Sequence, residues 1–153
     1  MSQELKDRTK AFGIRVIKMV KEINGGLVEA TLIRQIIRSA TAVGANYRAA
    51  LRGRSTADFI SRITVAEEEA DESCYWLEIL IAIKVFPAGR LEPLLKEAQE
   101  ITAIMTASGK TAKAKSKIEA EKKSKIETRK SKINKVENRS AKIENLKDGK
   151  VKN

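Results

Sequence analysis

The chain has 153 residues, 42% of them apolar and 4% aromatic, with two prolines, one cysteine and no histidine. This suits one aliphatic helical domain plus an appendage, and excludes the commonest general base, the usual zinc ligand and the Glu-x-x-His di-iron pattern. The net charge of +11 belongs to a tail: residues 1–109 set 15 Lys and Arg against 14 Asp and Glu, whereas residues 110–153 set 16 against 6.

Apolar spacing predicts a first helix from about Gln3 to Ile23, with Leu5, Phe12, Val16, Met19, Val20 and Ile23 on its buried side and Asn24-Gly25-Gly26 ending it. A second helix is expected from about Glu29 to Leu51, stopping at Gly53. Its two sides differ in chemistry. Arg34, Arg38, Arg48 and Arg52 fall within about 80° of one another at 100° per residue, while Ile36, Ala40, Val43, Tyr47 and Leu51 cluster opposite. Gly44 and Ala45 lie inside this helix and allow close backbone approach to a neighbour.

Ser55 or Thr56 is expected to cap a third helix that continues to about Val85, before Pro87 and Gly89. Phe59, Ile63, Ala66, Ala70, Leu77 and Leu80 give it one apolar face, and Val65, Trp76 and Ile83 a second. That second face suits either a partner subunit or packing on two neighbours within one bundle. The fourth helix is expected from Leu91-Glu92-Pro93 to about Ala107, with Leu94, Leu95, Ala98, Ile101, Ile104 and Met105 inward. Four helices joined by short turns predict an all-α, up-down-up-down four-helix bundle over residues 1–109.

Residues 110–153 are a basic low-complexity tail, a degenerate repeat around Ser-Lys-Ile whose apolar residues Ile118, Ile126, Ile133, Val136, Ile143 and Leu146 come at about one per two turns. One apolar position per repeat is too sparse for a self-standing coiled coil, so a disordered or partly helical tail is expected. Its cations can hold phosphates by counterion release, but it has no aromatic ring for bases to stack on. A solvated tail with no specific role is the alternative.

The residues that carry chemistry are the arginines. Arg34, Arg38, Arg48, Arg52, Arg54 and Arg62 are candidates for nucleic-acid contact, since guanidinium forks match phosphate oxygens at any pH. The competing use is ion pairing with Glu67, Asp71 and Glu78, which share one stripe of helix three, within a subunit or between subunits. Arg52, Arg54 and Arg62 sit near the turn between helices two and three and are expected to face outward. The run Glu67 to Glu72 does not converge as a metal site requires, because successive helical residues diverge by about 100°. Cys74 lacks a histidine partner and lies near carboxylates, so it reads as a small buried residue. Asn46 and Tyr47 are expected to satisfy interhelical hydrogen bonds or to have a surface role.

No metal, cofactor or catalytic residue is expected. No apolar run reaches the length of a membrane span, and the charged N-terminus does not read as a signal peptide, which together predict a cytoplasmic protein without membrane contact.

Six stretches carry a family resemblance: Arg8-Thr9-Lys10-x-Phe12, Arg34-Gln35-x-x-Arg38-Ser39, Gly44-Ala45-Asn46-Tyr47-Arg48, Arg54-Ser55-x-Ala57-Asp58-Phe59, Glu68-Glu69-Ala70-Asp71-Glu72-Ser73 and Tyr75-Trp76-Leu77-Glu78. Over roughly residues 5–113 the chain resembles a bacterial four-helix bundle family. That family includes proteins encoded by intervening sequences of large-subunit ribosomal RNA genes and accessory variability proteins of diversity-generating retroelements. The resemblance implies a four-helix bundle and a ring-like homopentamer. For the accessory members it also implies a basic surface that binds RNA or DNA and a reverse transcriptase. It implies no enzymatic activity, and the tail lies outside it. The alternative is a protein–protein assembly scaffold whose arginines serve intersubunit ion pairs.

Overall fold

The computed structural model describes the backbone of residues 2–148 and the side chains of residues 3–139. The described residues form four helices: α1 (Ser2–Val20), α2 (Leu27–Ala50), α3 (Thr56–Ala82) and α4 (Glu92–Asp148). Two compact units result, residues 1–113 and the remainder from Ala114.

Local signals set the helix ends. The Glu29 carboxylate accepts from the Gly26 amide at 2.8 Å, bracing the start of α2. Ser55 caps α3 by accepting from the Asp58 amide at 3.1 Å, while Asp58 in turn accepts from the Arg54 amide at 3.2 Å. α3 ends three residues before the expected Val85. Lys84 adopts a left-handed backbone (φ 56°), and the Val85 amide reaches back to the Leu80 carbonyl at 3.2 Å, closing the last turn.

The bundle runs up-down-up-down. α2 and α3 are antiparallel, and their buried hydroxyls Ser39 and Ser73 meet at 3.0 Å. On the other side of α3, Thr106 of α4 donates to Glu67 at 2.6 Å. α4 closes the ring against α1 through ion pairs of Glu97 with Arg8 and Arg15, and of Glu100 with Arg8. Inside lie Phe12, Val16, Ile36, Val43, Ile63, Leu77, Leu80, Ile101 and Met105, all fully buried. The apolar faces expected from the sequence lie in or against the core, except that Ile104 is only half-buried and Leu51 lies beyond the last turn of α2 and is 40% exposed. The second face of α3 divides. Trp76 packs against the core of its own bundle, whereas Ile83 is exposed.

α1 and α2 cross at glycines. A methyl group placed on Gly44 would lie 3.4 Å from the Thr9 carbonyl, and one on Gly13 3.3 Å from that of Ala40. At Gly44 a single methyl makes ordinary contact, whereas at Gly13 it already crowds the backbone of α2.

The expected end of the fourth helix at Ala107 is corrected: α4 continues to Asp148. Gly109 does not break it but is buried within it, against Ile63. Beyond it, alanine, lysine and glutamate favour helix and no proline intervenes. In the second unit Ile118, Ile126, Ile133 and Val136 are exposed. The side chains of Ile143 and Leu146 lie outside the described residues.

Candidate nucleic-acid interface

The six candidate arginines are all exposed but have different surroundings. Arg38 is engaged. Its guanidinium meets Glu72 at 2.5 Å and Glu69 at 3.7 Å, across the α2–α3 seam. Glu72 also accepts from the Trp76 indole at 2.9 Å. These partners differ from the stripe Glu67, Asp71 and Glu78 read from helical spacing. Glu67 is turned to Thr106, while Asp71 and Glu78 are exposed.

For the guanidinium groups of Arg34, Arg48, Arg52, Arg54 and Arg62, no carboxylate of the described residues lies within 4.0 Å, although Asp58 holds the Arg54 backbone amide. The ion pairs between α1 and α4 engage Arg8 and Arg15 instead, and Arg90, just before α4, pairs with Glu22 just after α1. Arg34 stands apart, about 27 Å along the helix axis from Arg52 at 1.5 Å per residue. The other four collect at one end. The pairing of Ser39 with Ser73 and of Arg38 with Glu72 sets the antiparallel register, which brings Arg48 level with Arg62. Arg52 and Arg54 flank the turn between them.

The α1–α2 crossing adds cations that periodicity does not reveal. With Thr9 against Gly44, Lys6 and Lys10 of α1 come beside Arg48. Only tertiary register brings these residues together. Asn46 does not make the expected interhelical bond: its amide donates to the Ala42 carbonyl of its own helix at 3.0 Å. Tyr47 is buried, which pushes its hydroxyl pKa up, and no hydrogen bond of that hydroxyl occurs among the described residues. Cys74 is buried 3.9 Å from the Thr102 hydroxyl, and burial raises its thiol pKa.

The seam around Arg38 has opposed electrostatics. Burial lifts the Glu69 carboxyl; Arg38 opposes this, and Glu72 and Glu68 reinforce it. One Glu69 oxygen is buried without a hydrogen-bond partner. The Trp76 indole, with Arg38, holds the Glu72 carboxyl low despite burial. The signs follow. A raised native pKa means that Glu69 destabilises the fold when ionised, and that this penalty is relieved as pH falls through the raised value towards the ordinary 4.5. Glu72 contributes stability above the ordinary value and loses it as pH falls through its lowered pKa. Glu69→Gln is therefore expected to leave the melting temperature at pH 7–8 unchanged or a few degrees higher, and to remove the relief on mild acidification; melting curves across pH check it.

Among the described residues no helix is long and apolar enough to cross a membrane. The family model for the 23S rRNA-intervening sequence protein matches residues 2–107. A crystal structure from Bacteroides thetaiotaomicron, of a protein of unknown function from the S23 ribosomal protein family, superposes with a TM-score of 0.66. It is 32% identical, and the match covers 71% of this chain and 97% of that one. No curated protein matches the chain.

Proposed function

Because this chain belongs to the 23S rRNA-intervening sequence protein family, we propose that it is a non-enzymatic helical-bundle protein that binds RNA through the basic end of the bundle. The observation that carries this reading is the group Arg48, Arg52, Arg54 and Arg62, exposed and with no carboxylate of the described residues within 4.0 Å of their guanidinium groups. Guanidinium groups left without carboxylates are suited to phosphate oxygens, which they bind in a two-pronged geometry. The ribosomal RNA context of the family favours RNA over DNA, and an intervening-sequence setting over that of a reverse-transcriptase accessory subunit. In the latter setting the same surface would act as the adaptor's nucleic-acid side.

A second reading, an assembly scaffold, is favoured by the outer face of α3. There Glu68, Asp71 and Glu78 surround the exposed Tyr75, with no cation of the described residues within 4.0 Å of the three carboxylates. Arginines of neighbouring copies would complement that face, and the family resemblance makes a pentameric ring the assembly to expect. The two readings are compatible if the basic end remains accessible in the ring.

The test is a salt titration of RNA binding by fluorescence anisotropy. Affinity is expected to fall at least about tenfold between roughly 50 and 200 mM salt. Deletion after Lys113, at the boundary of the first compact unit, is expected to flatten but not abolish that dependence. A salt-insensitive complex, or no complex at low salt, contradicts the proposal. Light scattering on the same samples gives the subunit number.

A further inference from the structure

Between α1 and α2 lies a groove of about 490 Å³ whose walls differ in chemistry. Lys6, Lys10 and Arg48 line one part and Ile14 and Ile17 another, with Gly13 and Gly44 at the crossing between the helices. Ile14 is 42% exposed although it sits in the middle of a helix. No carboxylate of the described residues lies within 4.0 Å of Lys6, Lys10 or Arg48. The groove's own acid, Asp7, accepts from the Gln3 amide at 3.0 Å, and Lys6 approaches only the neutral Gln3 oxygen at 3.5 Å. The cations are therefore available to an outside anion.

We infer that this groove seats an unpaired stretch of RNA, with phosphates over Lys6, Lys10 and Arg48 and a sugar and base against Ile14 and Ile17. The inference rests on the RNA-binding reading above and adds the seat and the form of the strand. Charge complementarity selects a polyanion. The aliphatic wall selects an unpaired strand, because an unstacked nucleotide exposes a base face whereas a duplex turns phosphates and grooves outward. Lys6 and Lys10 are one helical turn apart, about 6 Å along the axis, so they face the groove together. Arg48 belongs both to the groove and to the basic end, which makes the two surfaces one track.

The experiment is an anisotropy titration of the full chain with a labelled single-stranded oligouridine and, in parallel, a duplex of equal length. The proteins are the wild type, Lys6→Gln/Lys10→Gln, and the charge-matched control Lys18→Gln/Lys21→Gln, which alters exposed lysines outside the groove. Circular dichroism confirms the fold of each. Neutralising Lys6 and Lys10 is expected to weaken single-strand binding roughly tenfold, and to reduce the slope of log affinity against log salt by about 1.4, the value for two phosphate contacts on a single strand. The control is expected to stay within about twofold, in keeping with lysines that touch no phosphate. Equal losses in the two variants, no loss in the first, or an equal loss on the duplex overturns the seat while leaving RNA binding standing. Failure of the wild type to bind either nucleic acid removes both.

Discussion

Reversing Arg52, Arg54 and Arg62 together to glutamate is expected to weaken RNA binding by at least about a hundredfold while the bundle stays folded. Each guanidinium lost from a phosphate forfeits a charge-assisted hydrogen bond of about 1.5–3 kcal/mol, and the new carboxylates repel the strand. Stability is expected to be little affected, because the three side chains are exposed and no carboxylate of the described residues lies within 4.0 Å of them. Arg38 makes the contrast. Its reversal sets a third carboxylate against Glu69 and Glu72 and is expected to lower the melting temperature. Anisotropy titration together with light scattering separates the two readings of the arginines. Loss of RNA with the assembly intact assigns Arg52, Arg54 and Arg62 to nucleic acid, and loss of the assembly assigns them to subunit contacts.

Gly44→Leu is expected to destabilise the bundle by about 3 kcal/mol, the upper part of the usual range for overpacking. The added side chain meets the Thr9 carbonyl, which is held in the hydrogen-bond ladder of α1 and cannot move alone. Relief requires α1 to lift from α2, which opens Phe12 and Val16 to water. Gly44→Ala is the control. Its methyl makes ordinary contact at 3.4 Å, and the gain in helix propensity of about 1 kcal/mol offsets slight crowding. Thermal melts should separate the two by more than about 10 °C for a domain of this size. A leucine variant that melts with the wild type would mean that α1 and α2 do not cross at these glycines.

The core was legible because burial in a bundle leaves a mark at helical spacing. Phe12, Ile36, Ile63, Leu77 and Ile101 all lie where periodicity puts them. Caps were legible for the same local reason, and Ser55 closes the start of α3 as its side chain allows. Ion-pair partners were not. Whether Arg38 meets Glu69 and Glu72, or instead Asp71, depends on which flank of α3 faces α2, because Asp71 lies about 100° around the helix from Glu72 and apolar spacing alone does not say which neighbour takes which flank. Ser39 and Ser73 read as ordinary helix residues until the register brings their hydroxyls together. The end expected near Ala107 followed from where the apolar spacing stops, but helix propensity carries α4 on, and Gly109 is a packing residue under Ile63. The groove was hidden for a further reason. Lys6 and Lys10 belong to one helix and Arg48 to another, and only the close crossing at Gly13 and Gly44 makes them neighbours.

The most direct measurement is the salt dependence of RNA affinity for residues 1–113 alone, a unit compact in itself. If the arginines of the bundle grip phosphate, log affinity falls against log salt with a slope of about −2 or steeper, reporting three or more contacts without help from the tail. A bundle that binds no RNA at low salt, or binds it with a flat slope, contradicts the account.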